Sequence, residues 1–277
     1  MKIGIIGLGL IGGSILKSLA NKDYELYAVT RNQSTISAAK EYCKEISSSY
    51  EILKDCEIIF VAVPMSNVLE TLDKIEGIVS QNTIVTDVSS LKSFVMNKKY
   101  SYNFIGSHPM AGTENVGFEH SFAELFDGAK WVLTPHKETS KEIIKKLENI
   151  ILQTGANIVY ADAVEHDKAV AKISHMPMLL AQALYKSVEN DSLALTLAAS
   201  GFRDMTRLAM SNIDMACDMV ELNKENIEMA LNIVNNSVLD LKEDYKVKIA
   251  QIRENRSKMY DKNGKNIYSR RKSNDEK

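Results

Sequence analysis

An α/β doubly wound sheet followed by an all-α helical domain is the fold class that the sequence predicts, and three observations predict it. The chain opens on an apolar run that breaks at Gly7, Gly9 and Gly12 and resumes at helical spacing through Ser14, Ile15, Leu16 and Leu19. Short apolar runs then alternate with helical patterns as far as about residue 162, the signature of parallel strands joined by crossover helices. Beyond residue 163 the strand-like runs stop. Only one glycine, Gly201, occurs before residue 252, and Ala, Leu, Met and Lys recur at helical spacing. The chain therefore divides into residues 1–162 and residues 163–277, the last stretch of which, 261–277, is a polar, basic tail expected to fray in solvent.

The opening stretch, MKIGIIGLGLIGGSILKSLA, is the element around which the first half is built. Its glycines have the G-x-G-x-x-G spacing directly after a strand-like run. In that pattern the first glycine makes the tight turn, the second lets backbone approach a pyrophosphate, and the third lets helix pack closely on strand. The phosphates then lie against the free N–H groups at the positive end of the helix. Residues 1–162 are thus expected to form a Rossmann-type dinucleotide-binding domain, with Gly7, Gly9, Leu10, Ile11 and Gly12 at the cofactor. A secretory signal or a membrane span is the competing reading of such a run. Five glycines and Lys17 interrupt it and no small-residue cleavage site follows, so neither is adopted.

Strand two is expected at residues 24–30 (YELYAVT), a helix at 35–42, and a further strand at 58–63, a run bare of charge and stopped by Pro64. Such a run is expected of a strand buried on both faces of a parallel sheet. Ligands of open α/β sheets bind beyond the carboxyl ends of the strands, so Val63 and Pro64 are assigned to the cofactor site. Strands follow at 83–88 and at 103–106, the latter ending in Ser107, His108 and Pro109. Two added strands, 131–135 and 157–161, flank a helix at 140–153.

The identity of the dinucleotide is read from the end of strand two. An NAD site usually presents Asp or Glu there for the ribose 2′-hydroxyl, whereas this chain has Thr30, Arg31, Asn32, Gln33 and Ser34. Thr30 and Ser34 can donate hydrogen bonds to a 2′-phosphate, and Arg31 can supply charge while lying against adenine. NADP is therefore expected in preference to NAD.

Composition bounds the partners. The 277 residues are 45% apolar and 25% charged, with a formal charge of −2. Those values are of a soluble globular protein with no global attraction to nucleic acid or anionic membrane. The partners expected are a small-molecule substrate and copies of the chain itself. The short basic run Arg270, Arg271, Lys272 is read as solvated. Cys43, Cys56 and Cys217 are scattered without metal-ligand spacing, so they are taken as small buried or half-buried apolar residues in a reducing cytoplasm, and no metal is expected.

The chemistry is expected at the strand ends DVSSLK (87–92) and HPMAGTE (108–114), which handedness brings side by side. His108 is the best general base in the chain, because imidazole titrates near working pH. In the helical half, His175 stands two residues before Pro177, which cannot donate to the Ile173 carbonyl and so bends its helix. A kink beside a histidine points to a site. His166, nine residues earlier, falls on the opposite face of an unbroken helix and is left out. Arg203 and Arg207 are four apart, where like charges cost about 0.2–0.5 kcal/mol unless an anion lies between them. An anionic substrate would remove that cost; the alternative is a local pair of Asp204 with Arg207 and a solvated Arg203.

These motifs resemble those of the prephenate/arogenate dehydrogenase family. The resemblance runs over about residues 2–260, through GLGLIGGS (7–14), DVSSLK (87–92), GSHPMAGTE (106–114), SHMP (174–177) and GFRDMTRLA (201–209). It implies oxidative decarboxylation of a cyclohexadienyl ring acid in tyrosine biosynthesis. His108 would polarise or deprotonate the ring C4 hydroxyl as hydride leaves C4, and Ser90 would hydrogen-bond to the same hydroxyl and to His108. Arg207 matches the arginine that holds a substrate carboxylate, with Arg203 as a further member, and His175 matches a second active-site histidine. The resemblance also implies a homodimer through the helical half and leaves no regulatory domain over. The chain departs from the family at Met178, where a second histidine is common, and at residues 213–216, where a tryptophan is common. The Thr30–Arg31 ending of strand two looks like the NADP-using, arogenate-preferring branch. The rival expectations are another NADP-linked dehydrogenase with a helical second domain and a catalytically inactive dinucleotide sensor.

Overall fold

A computed structural model describes residues 1–113, 115–260 and 266. Glu114 and the tail, with Arg270, Arg271 and Lys272, lie outside the described residues, Asn266 excepted. The first half begins with β1 (Lys2–Ile6), α1 (Leu10–Leu19), β2 (Glu25–Val29), α2 (Gln33–Ala39), β3 (Glu45–Ser47), β4 (Ile58–Val61), α3 (Met65–Ile75), β5 (Ile84–Asp87), α4 (Ser93–Met96) and β6 (Asn103–Phe104). The strands pair in parallel in the order β3-β2-β1-β4-β5-β6, the doubly wound order whose crevice opens where the chain reverses direction between β1 and β4. Alternate side chains face opposite layers. Ile3, Ile5, Ile58 and Phe60 join one buried cluster with Ile15, Leu16 and Leu19 of α1. Ile6, Ile59 and Val61 join another with Val68, Leu72 and Ile75 of α3. Both faces are covered, which is why these strands are near-continuous apolar runs. The helix expected at 35–42 is α2 followed by a tighter 3₁₀ turn, Lys40–Tyr42. β3, three residues long, is too short to leave a periodic trace in the sequence.

The next strands correct the expectation for His108. The strand expected at 103–106 keeps only Asn103–Phe104 in the parallel sheet. Residues 107–109 are not a strand end but the middle of β7 (Gly106–Met110), which pairs antiparallel with β8 (Lys130–Thr134); β8 in turn pairs parallel with β9 (Asn157–Tyr160) beyond α5 (Lys141–Leu152). The added strands thus form a separate three-stranded sheet. Pro109, which has no N–H to give a ladder, is tolerated because β7 is an edge strand.

The helical region contains α6 (Ala163–Val170), a π-helical segment Ala171–His175, α7 (Met176–Lys186), α8 (Ser192–Leu197), α9 (Ser200–Thr206), a 3₁₀ turn Arg207–Met210, α10 (Ile213–Leu222), α11 (Lys224–Leu241) and α12 (Tyr245–Met259). By contacts the chain forms two compact units, residues 1–227 and 228–277. Within the first unit, Val170, Met178, Ala216 and Met219 of the helical region pack on Met65 and Leu91 of the sheet region. The Asp218 carboxylate accepts from the Ser66 N–H at the start of α3, 3.0 Å away. Of the cysteines, Cys56 is buried and Cys43 half-buried, and burial raises their thiols to about 12 and about 11. Cys217 departs from the expectation: it is exposed, because Ala216 and Met219 form the inward stripe of α10. No helix among the described residues is long and apolar enough to cross a membrane.

The two sheets are joined by a buried ion pair. Lys92 and Asp87 are both fully buried, and the Lys92 ammonium contacts the Asp87 carboxylate. The same ammonium donates to the Ser107 carbonyl of β7 at 2.6 Å and to Ser89 Oγ at 3.3 Å. Burial lowers the Lys92 pKa and Asp87 opposes that shift. The Ser107 hydroxyl donates to the Asp87 carbonyl (2.7 Å) and accepts from Thr86 Oγ1 (2.9 Å) and Trp131 Nε1 (3.0 Å), filling its hydrogen-bonding capacity. The end of β5 and the backbone before His108 are therefore one hydrogen-bonded block. Replacing Lys92 with Met leaves the Asp87 charge buried, and such a loss costs about 3–5 kcal/mol. Urea unfolding of Lys92→Met should show that loss, and the Asp87→Asn/Lys92→Met double variant a smaller one. A loss under about 1 kcal/mol in the single variant would show that the pair contributes little.

Candidate active site

The glycine turn is shaped for a phosphate. Gly7 has φ +87°, and a Cβ there would lie 2.5 Å from the Ala62 carbonyl oxygen. A Cβ on Gly12 would lie 1.9 Å from the Gly7 carbonyl, so helix and strand can meet only at a glycine. Above Gly9 there is open space, with nothing within 4 Å of a Cβ position. No side chain caps α1, whose first turn includes Leu10 and Ile11. The first N–H groups of a helix need partners from outside it, and a pyrophosphate over Gly9 fits that need. Val63 stands against Gly7, 3.0 Å from its would-be Cβ, and Pro64 is the exposed residue preceding α3.

At the end of β2, Thr30 is half-buried and Arg31 exposed, and Arg31 makes no ion pair among the described residues. Thr30 Oγ1 accepts from the Asn32 N–H at 3.4 Å, leaving its proton available. Ser34 differs from the expectation. Asn32 caps α2 by accepting from Ser34 N and Thr35 N, and the Ser34 hydroxyl donates to the same oxygen at 2.6 Å. Its proton is held by the cap rather than turned to a ligand.

The structure brings together two histidines that the sequence reading separates. His108 Nδ1 lies 3.0 Å from His166 Nε2, and His166 Nδ1 lies 2.8 Å from Asp167 Oδ1. His166 belongs to the site because the helix between it and His175 is not regular. The Met176 N–H bonds to the Ala171 carbonyl, one residue further back than in an α-helix. Nine residues of regular helix rotate by about 180°, but one inserted residue reduces the offset to roughly 80°. Pro177 was the available signal, since a π-turn re-satisfies backbone groups that a proline frees.

Asp167 is buried, yet its carboxyl stays below the usual aspartate value. Burial raises it, and bonds from the His166 ring and from Ser93 and Lys92 N–H groups more than offset that. His175 is fully buried, and desolvation lowers it to about 4, so it is neutral. Its Nδ1 lies 3.1 Å from Asn223 Nδ2, which also donates to the Asp167 carbonyl, while Asn223 Oδ1 accepts from Asn226. With the amide so oriented, His175 Nδ1 accepts and its proton is on Nε2, a buried N–H with no partner among the described residues. An acceptor on a bound molecule would satisfy it.

Ser90 does not bond to His108; its hydroxyl meets Met65 Sδ at 3.5 Å. The two arginines do not share one continuous helix, because α9 ends at Thr206 and Arg207 begins the 3₁₀ turn. Arg203 pairs loosely with Asp204 at 3.5 Å in solvent, so the alternative Asp204–Arg207 pair is absent. Arg207 is exposed and has no ion pair among the described residues. Its neighbour Leu208 packs against the cluster of Met65, Leu91, Met178 and Ala216. The two places where the chain departs from the family pattern thus meet in one apolar cluster beside Ser90.

A parallel doubly wound sheet whose glycine turn leaves open backbone at a helix N-terminus is the scaffold of the nicotinamide-dinucleotide oxidoreductases, and the chain is of that class. Residues 15–160 match the nucleotide-binding domain of prephenate dehydrogenase, and residues 162–257 match its dimerization domain. The chain belongs to the prephenate dehydrogenase family. It is 34% identical over 260 residues to the prephenate dehydrogenase of Lactococcus lactis, an alignment covering 84% of this chain and 71% of that one. The crystal structure of Synechocystis arogenate dehydrogenase is 31% identical with a TM-score of 0.82, covering 93% of this chain and 99% of that one. Aquifex aeolicus prephenate dehydrogenase in complex with hydroxyphenyl propionate and NAD+ is 28% identical, with a TM-score of 0.85 and coverage of 93% and 97%.

The neutral histidines have a consequence for stability. The folded value of about 4 for His175 lies below its ordinary 6.5, and His108 is shifted the same way. Below about pH 6.5 the unfolded chain takes up protons that the folded chain refuses, so stability falls as pH drops toward 4, by at most ~1.4 kcal/mol per pH unit for each histidine. Asp167 starts from 3.8 and contributes only at lower pH. Unfolding free energies measured from pH 6.5 to 4.5 should decline, and His175→Gln should flatten the slope. An unchanged slope would mean that His175 titrates normally.

Proposed function

We propose that the protein catalyses the oxidative decarboxylation of a cyclohexadienyl ring acid, prephenate or arogenate, with His108 as the general base. The observation that carries this reading is the chain of ring contacts at His108. Ionised Asp167 can only accept, so His166 donates from Nδ1 and accepts at Nε2, and His108 then donates from Nδ1. The lone pair of His108 is left on Nε2, which has no hydrogen bond among the described residues. A nicotinamide dinucleotide held at the glycine turn of Gly7, Gly9 and Gly12 would supply the acceptor for the hydride of ring C4. His108 Nε2 takes the proton of the C4 hydroxyl as that carbon becomes a carbonyl, and loss of the ring carboxylate as carbon dioxide restores aromaticity. His175 offers its unpartnered N–H to substrate or nicotinamide. Arg207 supplies the charge for a substrate carboxylate, with Arg203 at the edge of the same site, and Ser90 turns from Met65 to the substrate hydroxyl.

NADP is the coenzyme in this reading, held by the glycine turn and, at its 2′-phosphate, by Thr30 and Arg31. Support comes from the missing carboxylate after β2 and from the exposed guanidinium of Arg31, which makes no salt bridge or hydrogen bond among the described residues. The ending of β2 favours arogenate of the two ring acids. The division at residue 162, cofactor half before and substrate half after, belongs to the same proposal, as does a homodimer through the helical half. Large exposed apolar side chains there, Leu193, Leu197, Met210 and Ile213, support the dimer. A reducing cytoplasm suits the three free thiols.

Purified protein should reduce NADP or NAD in the presence of prephenate or arogenate, read by absorbance of the reduced cofactor. Silence with all four pairs would overturn the activity. His108→Asn should lower kcat by roughly 100-fold or more while cofactor affinity persists; unchanged turnover would remove His108 from its role. Arg31→Ala should raise the KM for NADP roughly 10- to 100-fold and leave that for NAD unchanged. An equal rise for both would assign Arg31 to adenine rather than to the 2′-phosphate.

A further inference from the structure

His108 sits among groups that discourage a positive charge. Burial and the neighbouring His166, Lys92 and His175 hold it well below the ordinary imidazole range. A base that must carry the substrate proton on its own ring would be weak there. Among the described residues, the Asp167 carboxylate reaches His108 through the His166 ring.

We infer that His166 and Asp167 form a proton relay behind His108, so that the charge produced by deprotonating the substrate comes to rest on His166. This rests on the reading of His108 as the base. The substrate hydroxyl proton goes to Nε2 of His108, and the Nδ1 proton of His108 passes 3.0 Å to Nε2 of His166. His166 then holds protons on both nitrogens, an imidazolium 2.8 Å from the Asp167 carboxylate, and His108 is neutral again as its other tautomer. One proton has left the substrate, one positive charge has appeared on His166, and each electron pair stays with the nitrogen that donates it. The reverse transfers reset the pair by returning the proton to the ring oxygen once loss of carbon dioxide has left it as a phenolate, so no proton is gained or lost overall.

Asp167 is suited to the task because it is fixed independently of the histidines. Its two oxygens accept from the Lys92 and Ser93 N–H groups, both at 2.8 Å, and its carbonyl accepts from Asn223 Nδ2 at 3.0 Å. The carboxylate is therefore locked to the segment that follows β5, the strand that also holds Ser107. His166 and Asp167 are positioning residues here, since they act through His108.

Two variants separate the relay from a packing role. His166→Gln can still accept the Nδ1 proton of His108 but cannot carry a proton onward, and His166→Leu can do neither. In protein labelled with ¹⁵N-histidine and free of cofactor, His108 should be the Nδ1–H tautomer in wild type and should lose that preference in His166→Leu. In steady-state assays, His166→Gln should lower kcat at least ~10-fold with KM little changed. The acidic limb of its kcat/KM profile should move to lower pH, because the proton that the wild-type pair holds on His166 beside Asp167 must then sit on the buried His108 ring. A His108 that is Nε2–H in wild type would overturn the relay, as would a pH profile that His166→Gln leaves in place. Full turnover in His108→Asn would instead overturn the assignment of the base itself, so the two failures are distinguishable.

Discussion

The arrangement around His108 depends on the buried pair of Lys92 and Asp87. Neither residue touches solvent, and between them they bind the end of one parallel strand to the backbone of an edge strand in a second sheet. An unpaired charge at that depth would be costly, whereas a paired one fully supplied with hydrogen bonds from Ser89 and Ser107 is tolerated. The pair has a directional consequence that an apolar contact would lack. Its geometry specifies which residue of β7 sits against β5, and so which residue follows at the site.

The helical region is brought onto this block by polar groups as well as by packing. Asp167 accepts from the N–H groups of Lys92 and Ser93, Asp218 accepts from Ser66 at the start of α3, and Asn223 links Asp167 to His175. These bonds surround an apolar cluster of Met65, Leu91, Met178, Ala216 and Met219. Hydrophobic burial supplies attraction without direction; the hydrogen bonds supply direction, and they end at the histidines. His175 shows the result most plainly, a fully buried ring with one nitrogen satisfied and the other without a partner among the described residues.

Much of this was legible from residue order. The glycine spacing announced the turn and its open backbone, the charge-free run from Ile58 announced a strand covered on both faces, and the scarcity of glycine between residues 163 and 252 announced helices. His108 and His175 stood out by their neighbours, Pro109 and Pro177. What was misread followed from assuming regular geometry. A regular helix separates His166 from His175, and the π segment brings His166 round to His108. The helix that carries Arg203 ends at Thr206, and Arg207 opens the 3₁₀ turn that follows it directly. Pro109 was placed just past the end of a strand, and it lies instead within an edge strand.

Local sequence therefore determined the elements, the nucleotide turn and the identity of the titratable groups, because each depends on a few consecutive residues and on periodicity. Tertiary structure alone decided which nitrogen of His108 is free. That choice passes from Asp167 through His166, over contacts made between residues 58 positions apart in the chain. Hydrogen-bond donors and acceptors must alternate along such a chain of rings, and the alternation is set at a carboxylate that no spacing rule connects to His108.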